Sequence, residues 1–158
     1  MDKQYHPTEI EEKWAKVWSE RKVKNESSTE SFSQVIPPPN VTGTLHMGHS
    51  FQYAIMDFYT RYNHMAGKDS YWQVGSDHAG IATQMVVENN LAKKDITRKD
   101  LGREKFLEEV WSWKDYSEKK ITSQIKRLGN TVDWNKYRFT LDDDFNEAVI
   151  KAFVEMHR

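Results

Sequence analysis

The sequence predicts an α/β fold of short parallel strands with flanking helices, preceded by an N-terminal amphipathic helix. Three observations predict it. Two short β-prone runs, at 32–36 and 71–74, stand on either side of a helical pattern at 45–65, and strand, helix, strand over that distance is most simply a right-handed βαβ crossover in a parallel sheet. Each run gives way at once to proline or glycine. The 158 residues, 37% hydrophobic and 13% aromatic, suffice for one ordinary core and hardly two.

Taken in order, Thr8 with Glu11 forms a capping box, after which Ile10, Trp14, Val17 and Trp18 recur at helical spacing, so a helix is expected over 8–22. Residues 24–31 carry no apolar side chain and read as a solvated connector. The first strand stops at Pro37, which lacks an amide donor. In the first long helix Phe51, Ile55, Phe58, Tyr62 and Met65 share one face, and Gly67 stands where a residue of positive φ is wanted. After the second strand a helix is expected over 81–92 with Ile81, Met85, Val86 and Leu91 inward. Thr97 and Asp100 form a further capping box, opening a charged helical region to about Leu128 that Gly129-Asn130 ends. Residues 131–141 are ambiguous. Phe145, Ala148, Val149, Ala152, Phe153 and Met156 then mark a last amphipathic helix.

Composition narrows the function classes. A net charge of -1, from 23 Lys+Arg against 24 Asp+Glu, gives no bulk basicity for a nucleic-acid partner, though a local basic face remains open. With no cysteine there are no disulfides, and a structural zinc would lack thiolate ligands. The N-terminus has no basic and apolar leader, and no apolar run approaches the roughly 20 residues of a membrane span. A soluble, cytoplasmic chain is expected.

The chemistry gathers after the two strands, at 36–49 and 74–80, the carboxyl edge where open parallel sheets bind ligands. Both loops are expected to face one crevice. The first, Pro37-Pro38-Pro39-Asn40-Val41-Thr42-Gly43-Thr44-Leu45-His46-Met47-Gly48-His49, feeds a helix N-terminus, whose free amides and partial positive charge favour phosphate. Gly43 and Gly48 remove side chains where a nucleotide must approach the backbone. His46 and His49, one turn apart, can both donate to phosphate oxygens. Other readings fit the residues too: a metal-dependent hydrolase built on His-x-x-His, with Asp77-His78 as further ligands, or a non-catalytic module docking a partner through its Trp-bearing helices. Asp77 itself reads either as a helix N-cap or as a carboxylate for a ligand ammonium. Trp111, Trp113 and the basic cluster Lys119, Lys120, Lys126 and Arg127 read as packing and solvated face rather than RNA contacts.

The 37–49 segment resembles the HIGH signature of class I aminoacyl-tRNA synthetases, and its Pro-Pro-Pro-Asn-Val-Thr lead-in resembles the valyl branch in particular. Gly75-Ser76-Asp77-His78-Ala79-Gly80-Ile81-Ala82-Thr83-Gln84 is similar to that family's Gly-Thr-Asp-His-Ala-Gly-Ile-Ala-Thr-Gln. So are Leu101-Gly102-Arg103-Glu104-Lys105-Phe106, Lys126-Arg127-Leu128-Gly129, Asp133-Trp134 and Arg138-Phe139-Thr140-Leu141-Asp142. The resemblance spans essentially the whole chain.

It implies the first half of a Rossmann-like (HUP-type) catalytic domain, with residues 1–31 as N-terminal helix and linker and 32–158 as the half-domain, truncated before the editing domain. The implied reaction joins valine to ATP as valyl-adenylate and passes the valyl group to tRNA(Val), with Mg2+ accompanying the ATP. Thr44, His46, Gly48 and His49 would hold ATP, His46 and His49 being the catalytic pair. Pro37 and Asn40 would line the amino-acid pocket, Asp77 would bind the valine ammonium, and no residue is assigned to a metal. The sequence has no Lys-Met-Ser-Lys-Ser-like segment, so binding of ATP or adenylate, rather than tRNA charging, is the activity expected of the chain alone.

Overall fold

A computed structural model describes residues 4–20 and 28–158. The expected helix end at 21–22 and connector positions 24–27 lie outside the described residues. The chain divides into two compact units: Met1–Ile36, Leu45–Val74 and Thr122–Lys136 form one, and Pro37–Thr44, Gly75–Ile121 and Tyr137–Arg158 form the other.

In the first unit, α1 runs Pro7–Ser19 behind His6, which makes no side-chain cap. The expected Thr8/Glu11 capping box therefore does not form. Proline at the first helical position starts the helix a residue before Thr8, because its fixed φ suits the first turn and its missing N–H is one a helix never uses there. Strands β1 (Ser31–Val35) and β2 (Asp69–Gln73) pair in parallel, Ser31 opposite Asp69 through Val35 opposite Gln73. Helix α2, Met47–Met65, connects them, and Gly67 beyond its end has φ +88° as expected. This is the βαβ unit that the sequence predicts.

The face of α2 that packs inward is not its apolar stripe. Tyr53 and Thr60 are buried, whereas Phe51, Ile55, Phe58, Tyr62 and Met65 are exposed, Phe51 to 71% and Met65 to 86%. Specific partners decide the rotation. Tyr53 stands edge-on to Trp72 of β2 at 6.2 Å, and the Gln34 amide of β1 donates to the Met56 carbonyl and the Thr60 hydroxyl. Burial pushes the Tyr53 phenol up to about 12. Ile36, Val74, Ile125 and Val132 complete this core.

In the second unit, β3 (Gly75–Ser76) and β4 (Arg138–Phe139) form a short parallel pair. Gly75 is required there, since a Cβ would run into the Arg138 carbonyl. Helix α3, Ile81–Ala92, has the expected bounds and buries Leu91 as expected, but Thr83 and Val87 are its other buried residues, while Ile81 and Met85 are exposed to 78% and 57%. Val87 and Leu91 pack with Phe106 and, around them, Ile96, Leu101, Val110 and Trp113, so the neighbouring helix selects the face.

That neighbour, α4, covers Arg98–Arg127, and its last turns belong to the first unit. Its predicted capping box is formed: Thr97 N–H donates to the Asp100 carboxylate at 2.8 Å and Asp100 N–H to the Thr97 hydroxyl at 3.3 Å. Gly102, at φ +73° and ψ 173°, breaks the helical path inside it. The ambiguous 131–141 stretch resolves into a 3₁₀ turn at Trp134–Lys136 and β4. Helix α5, Asp143–His157, buries none of its residues. Among the described residues no helix is long and apolar enough to cross a membrane.

Candidate functional site

The first unit carries the two histidines at the start of α2. Residue 46 is in extended conformation, the geometry of an N-cap. The Gly48 N–H donates to His46 Nδ1 at 3.1 Å, and the His46 N–H donates to His49 Nδ1 at 3.2 Å. The pair thus caps its own helix, satisfying amides that the first turn leaves without carbonyl partners. A ring nitrogen that accepts from an amide carries no proton, so each neutral imidazole holds its proton on Nε2. Two Nε2–H donors result, on rings 4.0 Å apart at 47°. Burial, and secondly the nearby His46, pulls the His49 imidazole below its ordinary value, which favours the neutral form.

Gly48 is tied to this arrangement, because a Cβ there would lie 2.9 Å from His46 Cε1 and 3.0 Å from Nδ1. In the same unit the Gln124 side chain accepts from Leu45 N–H at 2.9 Å, fixing the approach to the cap from α4.

The second unit holds the other predicted residues. Asn40 and Asp77 are partners in a parallel bridge: Asp77 N–H donates to the Pro39 carbonyl and Val41 N–H to the Asp77 carbonyl, both at 2.9 Å. Side chains of α4 grip the same segment. Trp113 Nε1 donates to the Val41 carbonyl and the Ser117 hydroxyl to the Gly43 carbonyl, each at 2.9 Å. Trp113 is thus packing with a specific polar task. Pro37, Asn40 and Thr44 are exposed, and a Cβ on Gly43 would meet nothing within 4 Å.

Asp77 is not the N-cap of α3. Gly80 takes that position, without a side-chain cap. Asp77 Oδ1 instead accepts from Ala79 N–H at 3.3 Å and from the Thr140 hydroxyl at 3.0 Å. Beneath it, Tyr137 donates to the fully buried Ser76 hydroxyl at 2.6 Å and lies 3.0 Å from Glu118, which Lys114 pairs at 2.8 Å. Burial is the main reason the Tyr137 phenol is pushed up from its usual value. Sequence reading missed Thr140, Tyr137, Glu118 and Ser117. Only the motif 138–142 signalled any of them, and it named no role for Thr140.

Among the described residues no three His, Asp or Glu side chains converge to hold a metal. The basic cluster also has intramolecular partners: Lys120 lies over Tyr116, Lys126 over Trp134, and Arg127 pairs with Glu11 at 3.4 Å.

A parallel βαβ unit whose crossover helix is capped by its own histidines places the chain in the α/β class. Over residues 9–158 the sequence matches the family described as tRNA synthetases class I (I, L, M and V), and the chain belongs to it. The Valine--tRNA ligase of Acinetobacter baylyi is 56% identical over 154 residues, 97% of this chain and 16% of that protein. The chain therefore spans a small part of the length of this curated relative. The fold is shared with a LeuRS in the crystal structure of the Agrobacterium radiobacter K84 agnB2 LeuRS-tRNA-LeuAMS ternary complex, at a TM-score of 0.75 and 20% identity over 98% of this chain and 18% of that one.

Proposed function

We propose that this chain is the N-terminal part of a valine–tRNA ligase catalytic domain and that it binds ATP and valyl-adenylate. The reciprocal His46/His49 cap carries the reading, since it leaves two neutral Nε2–H donors at a helix start. In the reaction, a valine carboxylate oxygen bonds to the α-phosphorus of ATP while the bond to the bridging oxygen breaks and pyrophosphate leaves. His46 and His49 donate to phosphate oxygens as charge builds on them. Gly48 keeps the His46 ring in place, and Thr44 contacts the nucleotide. Asp77 takes the valine ammonium, and Pro37 and Asn40 line the amino-acid pocket.

Magnesium comes with the ATP. It prefers oxygen ligands, whereas both histidine Nδ1 atoms are engaged with backbone amides, so no protein ligand set is assigned to it. In the whole protein the valyl group passes on to tRNA(Val), and the cysteine-free composition suits work in the cytoplasm.

The test is calorimetry with a non-hydrolysable valyl-adenylate analogue. The chain should bind it, while His49→Ala and Asp77→Asn each weaken binding by at least about tenfold, the scale of a lost hydrogen bond to a charged group. No heat from a chain whose circular dichroism shows an intact fold would refute the reading.

A further inference from the structure

We propose that Thr140, at the end of β4, is a positioning residue that aims the Asp77 carboxylate at the ligand ammonium and fixes the tautomer of His78. The proposal rests on the reading of Asp77 given above. Thr140 Oγ1 lies 3.0 Å from Asp77 Oδ1, 2.9 Å from the His78 backbone nitrogen and 2.6 Å from His78 Nδ1. A hydroxyl has one proton. The backbone N–H can only donate and the aspartate carboxylate can only accept. Thr140 therefore gives its proton to Asp77 and accepts twice, and the second acceptance requires a proton on His78 Nδ1. In the neutral ring His78 Nε2 is then the unprotonated acceptor, the opposite tautomer to that of His46 and His49.

The carboxylate is used unevenly as well. Ala79 N–H and the Thr140 hydroxyl both meet Oδ1, His78 Nδ1 stands 3.4 Å from the same atom, and among the described residues no hydrogen bond to Oδ2 is formed. One oxygen is thus anchored to the protein and the other left for a ligand. Asp77 and His78 keep 35% and 39% side-chain exposure, so solvent or a ligand reaches them. An ammonium group brings three donors, one of which Oδ2 can accept. The backbone of Thr140 is itself tied to β3, since its N–H donates to the Ser76 carbonyl at 3.2 Å.

The experiment compares Thr140→Val, which removes the hydroxyl at equal shape, with Thr140→Ser, which keeps it, and with Asp77→Asn. Imidazole ¹⁵N shifts report the His78 tautomer, and calorimetry reports affinity for a valyl-adenylate analogue and for AMP, which lacks the ammonium. Nδ1–H is expected in the wild type and in Thr140→Ser, and a mixture in Thr140→Val. Thr140→Val should bind the valyl analogue about tenfold more weakly, as for one lost hydrogen bond to a charged group, with AMP affinity unchanged, and Thr140→Ser should restore it. An unchanged tautomer, or full analogue affinity in Thr140→Val where Asp77→Asn has lost it, overturns the proposal. A wild-type chain that shows the expected tautomer but binds no analogue overturns instead the ligand reading of Asp77, and with it the ligand half of this inference.

Discussion

At the scale of single residues, the arrangement of His46 hangs on the absence of one side chain. A methyl group at position 48 would meet the imidazole at 2.9 Å, so Gly48→Ala must swing the ring away and break its bond from the residue 48 amide. Binding of ATP or its analogues should fall by about tenfold, the scale of one such donor lost, with helix content by circular dichroism unchanged. That the two histidines stand together at a helix start was legible, because their spacing and the glycines beside them mark it. The partner of Asp77 was not legible. A threonine 63 residues away leaves no local pattern, and nothing in the sequence reports which hydroxyl the fold will bring to a carboxylate.

At the scale of elements, α1 is held by a small knot in the first unit. Arg61 pairs with Asp57 and donates to the Gly129 carbonyl, both at 2.6 Å, while its guanidinium lies 5.1 Å from the centre of the Trp18 ring. Asp57 also accepts from Thr131 N–H at 2.6 Å. Gly129 has φ +71°, and a Cβ on it would overlap the Trp18 ring. Gly129→Ala should therefore cost about 1–2 kcal/mol in backbone strain alone, and more from displacing α1. Thermal denaturation should show a midpoint lower by roughly 3 °C per kcal/mol, with faster proteolysis in α1. Helix bounds were readable where caps and stops were local, as at Thr97, Gly67 and Gly129. Helix rotation was not. In α2 and α3 the apolar stripe is genuine, yet the inward faces are chosen by Tyr53 against Trp72 and by Val87 and Leu91 against Phe106, contacts made across long stretches of sequence.

For the molecule as a whole, two helices present large apolar side chains to water. On α2 these are Phe51, Phe58, Tyr62 and Met65, and on α5 Val149, Phe153 and Met156, each more than 60% exposed. Contiguous surface of this kind is costly to hydrate and promotes association. Light scattering on the isolated chain should show a mass that rises with concentration, and Phe58→Glu with Phe153→Glu should return it toward that of one chain. A monomer at all concentrations would contradict this. The parallel pairing and the crossover were legible at this scale because a βαβ unit writes itself in the order of its runs. The division of the chain into two units was not, since segments far apart in sequence build each of them.

The proton arrangement of the histidine cap bears on how the site should respond to salt. Because Nδ1 of each ring is given over to an amide, His46 and His49 would, in the proposed function, meet phosphate as neutral dipoles and not as cations. Ionic screening weakens attraction between net charges far more than short, directed hydrogen bonds in a partly desolvated site. The contribution of this pair should therefore persist at ionic strengths that would strip phosphate from a cluster of lysines, and the selectivity it confers is one of direction and distance.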